Sequence, residues 1–372
     1  MRRREVVYFT DSRGFAGAER VLLTLLEGID RTRWRATLAH HSFPGVEPLV
    51  RQARLLDVET WSVAPMPHGA RGTAGALAFA RALRARHLDV FHAHLTWPLA
   101  AKNALLAALA ARVGLVLATV HLYMDVPLTR GMALQQRLIG AGLDRAFAVS
   151  AHNAARLEEL LHWPHGKLDV IHTAVDPAAY TRHPDPNLRK SLAGDRPLVL
   201  TVARLDEQKG HRHLLAAATE LREAVFVLAG DGPNRASLQK LARELGVEER
   251  VRFLGEREDV ADLLAVCDVF ALPSLYEGLP VSVLEAMAAE RVVVATAVGG
   301  TGEAIVDGVS GLLVPPKDPG ALAAALARVL SDERLRSRLA GAGRARVASH
   351  FSASEMVTRV TDSYELLAPR PR

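Results

Sequence analysis

Short, β-rich apolar runs alternate with longer helical patterns along the whole chain, and no other feature limits its fold as tightly. In the first half the runs are residues 6–10, 36–40, 58–61, 90–94, 115–120 and 146–150. In the second half they are 198–202, 224–229, 251–254, 269–272, 292–296 and 311–314. Ala/Leu/Arg segments with helical spacing, such as 75–86 and 98–112, lie between them. A strand covered on both faces loses its polar alternate positions, so near-continuous apolar strands separated by helices specify parallel sheets with helices on either side. At 372 residues the chain is too long for one ordinary core. The predicted class is α/β, with two Rossmann-like domains in tandem. The break is read at residues 176–197, where Pro177, Pro184, Pro186 and Pro197 stand among small and polar residues. The expected organisation is therefore a first domain over 1–180, a second over 181–351, and a helix within 352–372 that crosses back onto the first domain.

Composition narrows the setting. Hydrophobic residues make up 49% and charged residues 23%, the balance of a water-soluble globular chain. The single cysteine, Cys267, excludes an internal disulfide and fits a reducing compartment; its apolar surroundings predict a buried structural thiol. Arg2, Arg3 and Arg4 mimic the start of an export signal, but the apolar run 6–9 is too short and Asp11 ends it. The apolar region 104–120 carries Arg112 and Gly114, so it reads as a helix followed by a strand and not as a membrane span. A cytoplasmic location is expected. Residues 1–190 hold 24 Lys+Arg against 16 Asp+Glu, a net of +8, and the remainder holds 22 against 25, a net of −3. Twelve of the 15 histidines also lie in the first half. Such asymmetry predicts an anionic partner for that half, either nucleic acid or an acidic membrane surface. No zinc-ligand cluster, RNA-binding aromatic signature or helix-turn-helix pattern supports nucleic acid. An acidic membrane surface stays a candidate, with Arg31, Arg33, Trp34, Arg35 and the mixed apolar-basic stretch 123–145 as the patches that would meet it.

In open parallel sheets ligands bind beyond the carboxyl ends of the strands, so the strand-to-helix turns carry most information. After the run 269–272 come Pro273, Glu277, Gly278, Leu279 and Pro280, with Glu285 eight positions beyond Glu277. Pro280 suits a first helical turn, where its missing N–H costs nothing. Free backbone N–H groups at such a start favour an anion, and ionised carboxylates accept hydrogen bonds from sugar or ribose hydroxyls. Taken singly, Glu277 reads as a helix cap and Glu285 as a solvated face residue.

With its surroundings the stretch resembles the family 4 nucleotide-sugar glycosyltransferases, whose hallmark is two glutamates separated by seven residues. The likeness continues through Val298, Gly299, Gly300, Gly302 and Glu303 to Gly308, Gly311 and Pro315. Upstream it takes in Arg204, Lys209 and Gly210, then Gly230, Gly232 and Pro233, then Phe253, Leu254 and Gly255. The resemblance implies a GT-B fold, two Rossmann-like domains with parallel sheets facing across a cleft. It implies transfer of a sugar from a nucleotide diphosphate sugar to a glycan or lipid-linked acceptor, with retention at the anomeric carbon. Glu277 is then expected to be catalytic, and Gly278, Leu279, Pro280 and Glu285, with Gly230, Phe253 and Leu254, are expected around the donor.

A leaving nucleoside diphosphate gains negative charge as the glycosidic bond breaks. No Asp-x-Asp pair is present to hold a metal there. Arg204 and Lys209, just after the run 198–202, are expected to stabilise that charge, with no metal or cofactor required. The first half resembles the family less closely. Ala16, Gly17, Ala18 and Glu19 stand where the family has Gly-Gly-Ala-Glu, and Gly17 is expected to let backbone approach the donor. His94 and His121 each end a strand. The segment 117–121 looks like the family strand whose histidine contacts the donor sugar, so His121 is the expected contact, while His94 is expected to shape the acceptor cleft. A further departure is His172, Thr173 and Ala174 where the family commonly has Pro-Asn-Gly. A NAD-dependent oxidoreductase lacks support, since no Gly-x-Gly-x-x-Gly follows the first strand, and no P-loop is present. A GT-B sugar-nucleotide epimerase and a non-catalytic sugar-nucleotide-binding homologue share the fold and remain alternatives.

Overall fold

A computed structural model describes residues 2–67 and 70–367. The chain forms two compact units, one of residues up to Thr173 together with those from Ala353 onward, the other Ala174–Ser352.

The first unit is built on seven parallel strands: β1 (Arg4–Thr10), β2 (Trp34–His40), β3 (Glu59–Ser62), β4 (Val90–Leu95), β5 (Leu115–Val120), β6 (Arg145–Ala148) and β7 (Leu168–Val170). Their order is β3-β2-β1-β4-β5-β6-β7. The chain winds one way from β1 and then returns beside it at β4, so the sheet's switch point lies between these two strands. Side chains alternate across a strand. Phe91, Ala93 and Leu95 of β4 therefore enter the apolar core beneath helices Ala70–Arg86 and Lys102–Ala111, while His92 and His94 take the opposite face. That face is covered by helix Gly17–Gly28 and by the terminal helix Ala353–Leu367, which contact each other. Gly28 permits their close approach, because a Cβ there would stand 2.7 Å from Val357 Cγ2. Tyr364, fully buried, meets Trp34 edge-on.

The second unit has six parallel strands: β8 (Leu198–Val202), β9 (Val225–Ala229), β10 (Val251–Gly255), β11 (Val269–Leu272), β12 (Val292–Thr296) and β13 (Leu312–Val314). The order β10-β9-β8-β11-β12-β13 puts its switch point between β8 and β11. Helices on both faces complete a core that includes Leu214, Phe226, Val269, Val294 and Leu326. Cys267 is buried with its thiol toward the Leu264 carbonyl, and burial pushes that thiol up to about 12. No described helix is long and apolar enough to cross a membrane.

Three expectations need correction. The boundary at 180/181 falls inside the second unit, because Tyr180 bonds to Glu285 and Thr181 accepts from Arg344. The supposed linker 176–197 is largely ordered: Pro177–Tyr180 is a 3-10 turn and Pro186–Ala193 an α-helix. Asp176 and Asp185 cap these two with their carboxylates, and a proline follows each at the first helical position. Finally, helix Lys102–Ala111 begins later than residue 98. Ala101 is held left-handed at φ 52° while its N–H donates to Asp11, which keeps residues 98–101 out of the helix.

Candidate active site

Because all six strands of the second unit run parallel, the turns after them gather along one edge. The switch-point turns after β8 and β11 are locked together by backbone, the Leu275 N–H donating to the Gln208 carbonyl at 2.7 Å. Gln208 Nε2 returns a bond to the Tyr276 carbonyl at 3.0 Å. Gly210 makes this approach possible, since a Cβ there would stand 2.1 Å from the Pro273 carbonyl oxygen at a φ of +62°.

This contact brings Lys209 onto Glu277. Lys209 Nζ donates to Glu277 Oε1 at 2.5 Å, and Ser274 Oγ donates to the same oxygen at 2.7 Å. Glu277 is only 6% exposed, so its charge is held by these donors more than by water. The backbone around it is equally constrained. Gly300 N–H donates to the Gly278 carbonyl at 2.8 Å, and a Cβ on Gly299 would come within 1.9 Å of the Glu277 carbonyl oxygen. Leu279 and Pro280 are buried, and Pro280 is the N-cap of helix Val281–Ala288.

Arg204 lies on the same edge in a different state. Its side chain is 63% exposed and forks onto Asp206, whose other oxygen caps the short turn Glu207–Lys209. His211 fixes the Arg204 backbone by bonding to its carbonyl at 3.1 Å. Gly230 approaches from β9, where a Cβ would meet the Ala203 carbonyl oxygen at 2.0 Å. Phe253 and Leu254, both part-buried, end the edge strand β10 beside it.

Glu285 departs from expectation. It is 1% exposed and accepts from the Tyr180 hydroxyl at 2.7 Å, so it is not a solvated face residue. Sequence reasoning missed Ser274 and Tyr180. A lone serine carries no signal, and Tyr180 lies 105 positions from its partner.

In the first unit Gly17 opens helix Gly17–Gly28, whose start is braced by Glu19 accepting from the Ala16 N–H at 2.8 Å. Burial raises the Glu19 carboxyl above its usual range, and Asp11 likewise. His121 follows β5 and is part-buried, with Nε2 3.0 Å from His94 Nδ1. His94 is 1% exposed. It has no surface with which to shape an acceptor cleft and can act only through its neighbours. Among the described residues, no three His, Cys, Asp or Glu side chains converge on a metal position.

Two tandem parallel sheets of seven and six strands, with a cationic and carboxylate-bearing switch-point edge on the second, define the class as GT-B. The fold matches the crystal structure of a glycosyltransferase from Rickettsia africae (TM-score 0.85, 17% identity, all of both chains). It also matches Anabaena HepE in complex with UDP and glucose (TM-score 0.83, 22% identity, 98% of this chain and 100% of the other). Residues 15–179 match Glycosyltransferase Family 4 and residues 185–346 match Glycosyl transferases group 1. The chain belongs to the family 4 glycosyltransferases. An alpha-D-kanosaminyltransferase of Streptomyces kanamyceticus is 40% identical over 152 residues, 39% of each chain. A D-inositol 3-phosphate glycosyltransferase of Frankia alni is 34% identical over 258 residues, 64% of this chain and 63% of that one. The chain spans about half the length of the curated relatives it matches.

Proposed function

We propose that the protein transfers a hexosyl group from a nucleotide diphosphate sugar to a glycan or lipid-linked acceptor with retention of anomeric configuration. The observation that carries this is the Lys209–Glu277–Ser274 cluster where the β8 and β11 turns meet. HepE, in complex with UDP and glucose, gives a neighbour of the same fold holding a nucleoside diphosphate and a sugar.

In this reading Lys209 and Arg204 offset the charge that grows on the departing diphosphate, without a metal. Both are already oriented, Lys209 by Glu277 and Arg204 by Asp206, so little reorganisation accompanies bond breaking. Glu277 and the backbone from Gly278 to Pro280 hold the donor sugar. Gly230, Phe253 and Leu254 border the nucleotide, and Gly17 gives the first unit's backbone access to the donor. Glu285 takes the ribose end once Tyr180 turns aside. His121 serves a hydroxyl of the donor sugar. A membrane surface is the second partner: helix Arg130–Gly142 exposes Leu134 and Leu138 among Arg130 and Arg137, a combination suited to an anionic interface.

A thermal-shift screen of UDP-, GDP- and ADP-sugars tests the donor class. A cognate nucleotide at 100 times its Kd stabilises the fold by about 2.7 kcal/mol. A flat response to all three classes at millimolar concentration contradicts it.

A further inference from the structure

We propose that His94 is a positioning residue that fixes the proton of His121 on Nδ1, making His121 a hydrogen-bond donor and not a base. The inference rests on the reading of His121 as a contact to the donor sugar. His94 pairs in register with Thr119, and His121 comes two residues later, just past the end of β5. The two rings stack at 5.2 Å between centroids, with His94 Nδ1 3.0 Å from His121 Nε2. One proton occupies that contact, and the surroundings of His94 decide which ring owns it.

His94 Nε2 is buried and has no hydrogen-bond partner. The other polar rings packed on His94 are already engaged. His92 lies tilted against His94 with 4.7 Å between centroids, but its Nδ1 meets the Tyr364 hydroxyl at 2.6 Å and its Nε2 meets Thr119 Oγ1 at 2.8 Å. Tyr8 turns an edge toward His94, and its hydroxyl lies 3.3 Å from that of Tyr364. A proton on His94 Nε2 would be a buried N–H with no acceptor, whereas a bare Nε2 leaves only an unused lone pair. Orphaned buried N–H groups are the rarer and costlier case. His94 therefore carries its proton on Nδ1 and donates it to His121 Nε2. His121, neutral, then holds its own proton on Nδ1. Burial keeps all three rings uncharged: His92 and His121 are pushed down to about 3, and His94 well below its ordinary value. A protonated Nδ1 suits a hydroxyl or carbonyl oxygen of a sugar and cannot remove a proton from the acceptor.

The test reads the tautomer directly, by long-range proton–nitrogen NMR of the imidazoles in the full chain without sugar nucleotide. The His121 signal is assigned with a His121→Gln variant. Wild-type protein should show His121 protonated on Nδ1. His94→Leu should shift it toward Nε2, and His94→Asn, whose amide nitrogen stands near the lost Nδ1, should restore the wild-type form. Turnover should follow, falling about tenfold in His94→Leu with donor KM little changed, as one misdirected hydrogen bond predicts, and recovering in His94→Asn. Wild-type His121 protonated on Nε2 overturns the proposal, and this measurement stands even if His94→Leu does not fold. Because no donor is present, that failure is separable from failure of the His121 contact itself, which His121→Ala kinetics reads.

Discussion

Lys209 and Glu277 come from turns 68 positions apart, and their pairing converts two unremarkable surface types into a partly desolvated ion pair. With Lys209 one-fifth exposed and Glu277 one-twentieth, removal of the cation strands a buried carboxylate. Lys209→Ala should therefore cost about 3 kcal/mol of stability, and adding Glu277→Gln should recover most of it, because no unpaired charge then remains. Urea unfolding of the single and double variants checks this; a double variant no more stable than Lys209→Ala contradicts the pairing. Arg204 should respond in the opposite manner. Its own side chain is 63% exposed and a lysine keeps a cation beside Asp206, so Arg204→Lys should stay within about 0.5 kcal/mol of wild type. Turnover should still drop, since a point charge cannot reproduce a planar two-pronged contact. Equal turnover would remove Arg204 from the charge-stabilising role. The spacing of Glu277 and Glu285 was legible in the sequence. The burial of Glu285 under Tyr180 was not, because a contact made across so many residues leaves no local pattern.

Turns, more than strands, determine what the second sheet can hold. Gly210, Gly230 and Gly299 each sit where a Cβ would stand about 2 Å from a carbonyl oxygen of a neighbouring turn, at Pro273, Ala203 and Glu277 respectively. All three have positive φ. Gly299→Ala should force the β12 turn away from Glu277 and weaken donor binding at least tenfold, with far-ultraviolet circular dichroism unchanged. Titration calorimetry against the cognate nucleotide measures it, and undiminished affinity contradicts the expectation. At this scale the sequence was read well where burial is two-sided: the apolar runs of the central strands leave little ambiguity. It was read poorly at the margins. β7 is three residues long, with a half-exposed pattern that gives no periodicity to detect. The ordered pieces at Pro177–Tyr180 and Pro186–Ala193 carried a signal, Asp followed by Pro, that the density of prolines masked.

For the molecule as a whole, the two family matches divide almost where the two compact units do, at 179/185 against Thr173/Ala174. The first half's net of +8 and the exposed Leu134 and Leu138 belong to the proposed membrane-facing surface. Sedimentation should bring the protein down with anionic vesicles and less so with neutral ones, and added salt should release it. Equal or absent binding to both contradicts attachment. The central claim is chemical, that preoriented cations on the β8 turn drive departure of a nucleoside diphosphate. Its most direct measurement is acceptor-dependent release of nucleoside diphosphate from the cognate sugar nucleotide by wild type and Lys209→Ala, with folding of the variant checked by circular dichroism. The account predicts kcat lower by about 10²–10³ in the variant with donor binding nearly unchanged. A near-normal kcat in folded Lys209→Ala would contradict it.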